Sequence, residues 1–86
     1  MHSLLFQGVR VGKGARVIDS VVMRGARIGE GAVVERAVIA ENAQVGADAR
    51  IGQHDGDLCV LGPDSWIAPG AAVLAGESVE PNATVE

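Results

Sequence analysis

Residues 3–53 read SLLFQGVRVGKGARVID, SVVMRGARIGEGAVVER and AVIAENAQVGADARIGQ when broken at every seventeenth position, and the three lines superpose. Aliphatics recur in the same columns: Leu5, Val11 and Val17, then Val22, Ile28 and Val34, then Ile39, Val45 and Ile51. Their spacing is six, six and then five, which brings each one back beneath its predecessor. Self-similarity at a fixed period marks stacked coils. The hexads VGKGAR from Val11, IGEGAV from Ile28 and VGADAR from Val45 place an aliphatic first, Gly second and a small residue fifth. Side chains alternate along a short strand, so the first and fifth positions reach the same side across a turn. Gly in the turn tolerates positive φ, and Asn42 and Asp48 suit turns for the same reason. Three short strands and three turns per coil make a triangular prism with layers about 4.8 Å apart. A helical reading fails, because six is not a multiple of 3.6 and Gly recurs too often.

The phase breaks once. After Ile51 the aliphatics in phase are Leu61, Ile67, Val73, Val79 and Val85, so Ile39 to Leu61 spans twenty-two residues instead of seventeen. The surplus is assigned to a loop insertion at 54–58: His54, Asp55, Gly56, Asp57 and Leu58 have no place in the hexad. Beyond it LGPDSW, IAPGAA, VLAGES and VEPNAT keep to sixes. Pro63, Pro69 and Pro81 fall at the third position, a turn site where a missing amide donor is tolerated. Residues 1–86 therefore read as one domain, with three seventeen-residue coils over 3–53, the loop, and final coils over 59–86, about five coils in all. A full repeat opens at Ser3, which reads as a fragment cut from a longer polypeptide.

Composition agrees with a thin core of stacked aliphatics. Apolar residues make up 48%, yet Phe6 and Trp66 are the only aromatic rings among them. Gly, 12 of 86 residues, falls at regular positions, which argues against a flexible chain. The formal charge of −4 lacks the clustered basic footprint of nucleic-acid binders. One cysteine, Cys59, cannot form an internal disulfide. Neither a membrane-length apolar run nor a signal-peptide pattern is present, and a cytoplasmic protein is the expectation.

The hexads resemble those of the left-handed parallel β-helix, an all-β fold. Its handedness is carried by the resemblance, since parallel crossovers are otherwise right-handed. More narrowly, Ser3, Leu4, Leu5, Phe6, Val9, Val11, Gly12, Ala15, Val17, Asp19, Ser20 and Val21 are similar in order and type to the carboxy-terminal β-helix of glucose-1-phosphate adenylyltransferase, or ADP-glucose pyrophosphorylase. The resemblance covers about residues 3–53. It implies a parent enzyme that makes ADP-glucose for glycogen from ATP and glucose 1-phosphate with Mg²⁺. That catalysis belongs to a separate amino-terminal domain, so no catalytic residue, metal or cofactor is expected in this chain. The implied partners are the catalytic domain of the same polypeptide, further copies in a homo-oligomer and a phosphorylated effector, with no nucleic acid and no membrane. Some relatives carry an effector-contacting Arg where Glu41 stands, which is a departure from the pattern. Two alternatives stay open: the β-helix of another sugar-phosphate nucleotidyltransferase such as a mannose-1-phosphate guanylyltransferase, and a stand-alone trimeric acyltransferase or carbonic anhydrase-like protein.

Two columns are candidate surfaces. If Leu5, Val22, Ile39 and Leu61 point inward, Leu4, Phe6, Val21, Met23, Val38 and Val60 form an apolar ladder outside. Such a patch marks a contact face, the favoured reading over one in which the five-residue corner tucks Leu4, Val21, Val38 and Val60 partly inside. The second column runs Arg10, Arg27, Gln44, Trp66. Arg10 and Arg27 as adjacent like charges would suit an anionic effector, weighed against the favoured alternative of two splayed, solvated arginines. Arg16 and Arg50, with Val33 between them, read as ordinary surface. His54 beside Asp55 and Asp57 could act as a general base, as in hexapeptide acyltransferases, but a solvated loop is favoured. With His2 the only other histidine, three zinc-ligating histidines are excluded. Cys59 is expected to pack rather than react, and the G-x-G segments are β-helix turns rather than phosphate loops.

Overall fold

Strands of two or three residues follow one another through the described residues, 3–53 and 55–86, of the computed structural model. In chain order they are β1 (Leu4–Leu5), β2 (Arg10–Val11), β3 (Arg16–Ile18), β4 (Val21–Val22), β5 (Arg27–Ile28), β6 (Val33–Glu35) and β7 (Ala37–Ile39). Then come β8 (Gln44–Val45), β9 (Arg50–Ile51), β10 (Cys59–Leu61), β11 (Trp66–Ile67), β12 (Ala72–Val73), β13 (Ser78–Val79) and β14 (Thr84–Val85). Every third strand joins the same sheet. The orders are β1-β4-β7-β10-β13 on the first face, β2-β5-β8-β11-β14 on the second and β3-β6-β9-β12 on the third. All pairings are parallel. The chain is a β-solenoid of about five turns, the architecture that the hexads predict.

The register follows the aliphatic columns. Leu5 pairs with Val22, Val22 with Ile39, Ile39 with Leu61 and Leu61 with Val79. Val11, Ile28, Val45, Ile67 and Val85 do the same on the second face, and Val17, Val34, Ile51 and Val73 on the third. Ile39, Ile51, Leu61 and Ile67 are fully buried, each contributing about 1.5–3 kcal/mol relative to exposure. The small fifth-position residues fill the corners between them, with Ala26, Ala32, Ala43 and Ala49 fully buried. Ser65 takes that place once, and its Oγ is buried without a hydrogen-bond partner. Leu5 and Val11 keep their places in the columns but are half exposed, at 49% and 41%, because β1 and β2 pair on one side only.

The turns divide the glycines into two kinds, and Asn42 and Asp48 take the left-handed geometry expected of them. Positive φ falls at the fourth hexad position, not the second: Gly14 at 75°, Asn42 at 61°, Asp48 at 60°, Asp64 at 62° and Asn82 at 63°. Pro63 and Pro81 each precede such a residue, the pattern of a type II turn, closed by Ser65 N–H to Gly62 O at 3.3 Å and Ala83 N–H to Glu80 O at 3.1 Å. The second-position glycines serve a different purpose. A Cβ on Gly12 would sit 2.6 Å from Glu30 N, one on Gly29 2.6 Å from Ala47 N, and one on Gly46 2.5 Å from Pro69 N. These glycines are required by the close approach of the next coil.

The five-residue corners turn at Asp19 (φ 50°) and Arg36 (φ 49°). Ser20 closes one of them, its hydroxyl donating to Ile18 O at 2.8 Å and accepting Ala37 N–H at 3.1 Å. Gly52, one position before the equivalent of Asp19 and Arg36, takes positive φ (76°), and there the chain departs into the expected insertion. Asp57 O there accepts Gly76 N–H at 3.2 Å, which ties the loop to the following coil. His54 lies outside the described residues.

Gly29→Ala should therefore destabilise the fold by about 1–3 kcal/mol through overpacking, while Gly14→Asn, with nothing within 4 Å of its Cβ position, should stay within about 0.5 kcal/mol of the parent. Urea denaturation of the two variants checks the ranking.

Candidate functional site

Parallel, in-register stacking turns every outward position into a ladder with one rung per coil. On the first face Leu4, Val21, Val38 and Val60 occupy consecutive rungs. Leu4 is 57% and Val60 40% exposed, while Val21 and Val38 are half-buried. Phe6, 49% exposed, and the half-buried Met23 follow one position later. Val21 and Val38 are thus partly tucked in, as the alternative reading has it, while Leu4 on the edge strand and Val60 after the insertion stand outside. All six residues of the expected apolar ladder share this face.

The second face carries the arginines. Arg10 pairs with Arg27, Arg27 with Gln44, Gln44 with Trp66, and Trp66 with Thr84. Both arginines are exposed, and among the described residues neither guanidinium group has a hydrogen-bond or ion-pair partner. Two guanidinium groups on neighbouring rungs repel one another, and no carboxylate is paired between them. Their column borders a groove of about 300 Å³ lined also by Glu30, Gln44 and Trp66. Its floor is Gly12, Gly29 and Gly46, which the stacking keeps without side chains. Sequence reasoning found the column but missed the trough and the acid on its wall. The available signal was Gly at the second hexad position on this face in three successive coils.

All seven Lys and Arg residues lie between positions 10 and 50, so the arginine column stands at the cationic end of the prism. Arg24 makes a 3.9 Å contact with Glu41, both side chains well exposed; such a pair contributes little. Glu41, the departure from the resemblance, thus faces a cation of the preceding coil. A second groove of about 490 Å³ holds Glu35, Arg50, Gln53 and Asp55, with both signs of charge on its walls. Cys59 is fully buried in register with Ala37, its Sγ donating to Leu74 O at 3.1 Å. It packs. Among the described residues no three His, Cys, Asp or Glu side chains gather as a metal site, and the general-base reading of His54 falls outside those residues.

Residues 1–58 match the family model described as GlmU-like, C-terminal hexapeptide. The match takes in the three seventeen-residue coils and the insertion, and ends where the uninterrupted sixes begin. No curated protein matches the chain.

The unpaired arginines make a measurable prediction. Like charges directly opposite in a sheet cost about 0.2–1 kcal/mol, so Arg27→Gln should stabilise the fold by that amount at low ionic strength. Added phosphate, by screening or bridging the parent's arginines, should erase the difference in a thermal melt.

Proposed function

As a member of the GlmU-like C-terminal hexapeptide family, this chain is, we propose, the non-catalytic assembly domain of a sugar-phosphate nucleotidyltransferase, with glucose-1-phosphate adenylyltransferase as the parent activity. The observation that carries this reading is the outward apolar ladder of Leu4, Phe6, Val21, Met23, Val38 and Val60 on a stiff prism. A solvated surface has no use for six apolar side chains in contiguous rungs, whereas a contact face does. The order of residues in 3–53 supports the finer assignment to ADP-glucose synthesis.

In this reading the prism works mechanically. Its backbone ladders resist bending, so a catalytic domain of the same polypeptide, or a further copy of the chain, docks on the first face at a defined angle. An anionic effector at Arg10 and Arg27 on the second face would regulate the enzyme by binding one arrangement of the domains more tightly than another. In this reading Mg²⁺ and ATP act in the catalytic domain, as the resemblance of residues 3–53 implies. The setting is the cytoplasm, with neither nucleic acid nor membrane as partner.

Phe6→Glu combined with Met23→Glu should lower the oligomeric mass in sedimentation, and an unchanged mass would count against this interface. The purified chain given ATP, glucose 1-phosphate and Mg²⁺ should release no pyrophosphate; measurable release would overturn the non-catalytic reading. Acetyl-CoA turnover that disappears in His54→Ala would transfer the protein to the acyltransferases.

A further inference from the structure

The second face offers more than charge. Trp66 is the only tryptophan of the chain, and it stands 40% exposed on the outer surface instead of packing in the core. It occupies the same column as Arg10 and Arg27, with Gln44 on the rung between Arg27 and Trp66. Two rungs at the usual strand spacing separate Arg27 from Trp66 by about 10 Å along the face, with Arg10 one rung further. All four side chains line one groove.

We propose that this groove binds a nucleoside diphosphate, its base against Trp66 and its phosphates on Arg27 and Arg10. The proposal rests on the reading of the two arginines as an anion site and names the rest of the ligand. An exposed indole beside the groove gives a flat apolar surface on which a base stacks, and stacking of this kind accepts any base. An extended nucleoside diphosphate reaches from base to terminal phosphate over about the two-rung separation. Guanidinium forks match phosphate oxygens, and those of Arg10 and Arg27 are unpaired among the described residues. Between the two ends Gln44 offers both an amide donor and a carbonyl acceptor, the pair that ribose hydroxyls require. Gly29 and Gly46 leave the floor as bare backbone, so a sugar can approach it closely. Glu30 stands on the groove wall as the one carboxylate lining it, and it opposes additional negative charge.

Trp66 is its own reporter. With inner-filter correction, ADP and UDP should both quench its fluorescence saturably and with similar midpoints. Adenosine should bind far more weakly than ADP, and inorganic phosphate should compete without quenching. Arg27→Gln should raise the apparent Kd about tenfold, the effect of losing one charge-assisted contact, and Glu30→Gln should lower it. Circular dichroism of both variants should match the parent, since both residues are exposed. Absence of saturable quenching, equal binding of adenosine and ADP, or indifference to Arg27→Gln would overturn the nucleotide site. If phosphate still raises the melting temperature through Arg10 and Arg27 while neither nucleotide quenches, the anion reading stands and only the nucleotide fails. If no anion responds to either arginine, both fail.

Discussion

Parallel backbone pairing between successive coils is the constraint from which everything else in this molecule follows. Each strand is only two or three residues long, far too short to persist alone, and it is held by hydrogen bonds to neighbouring coils, on both sides except at the ends of each sheet. Arg10 N–H reaches Ala26 O at 3.1 Å, Arg27 N–H reaches Ala43 O at 2.9 Å, and Gln44 N–H reaches Ser65 O at 2.9 Å. The turns stack in the same manner, with Asn42 N–H on Arg24 O at 3.1 Å and Asp64 N–H on Glu41 O at 3.0 Å. Stability is thus a property of neighbouring coils, as in other repeat architectures. No single coil has a buried face of its own.

In-register stacking has opposite consequences on the two sides of the wall. Inside, it sets Val22 on Ile39 on Leu61, and the like character of the column is what makes a narrow core possible without aromatics. Outside, the same rule sets Arg10 beside Arg27 and Leu4 beside Val21, arrangements that a globular surface would avoid. Water and salt dilute the first and do nothing for the second. The outer ladders therefore carry the functional proposals: the fold places them without regard to comfort, and a partner or ligand relieves both.

The insertion shows how much irregularity the stack accepts. Ile51 and Leu61 both remain fully buried on either side of it, so the extra residues leave the prism at Gly52 and return at Cys59 without shifting the columns. Downstream the corner changes from five residues to six, yet β12 and β13 still pair with β9 and β10 in phase. Phase is kept by the inward aliphatics, since a one-residue slip would turn each of them outward.

Most of the fold was legible in the linear pattern because its contacts recur at a separation of seventeen through the first three coils, with one shift of five at the insertion. Val11, Ile28 and Val45 announce their stacking by period alone, as do Arg10, Arg27 and Gln44, whereas Trp66 and Val60 join their columns once the surplus of five residues is set aside. Gly was legible as a turn residue but not in its two roles. Positive φ at Gly14 is a local property, whereas the requirement at Gly29 comes from Ala47 N of the next coil. The groove has the same origin. Its floor exists because two backbones approach too closely for a Cβ, and Glu30 reaches its wall from a turn rather than from the column. Periodicity by itself determined which residues share a face. Only the stacked structure decided how near the coils come and what space remains between side chains, because those distances depend on atoms seventeen or more residues apart.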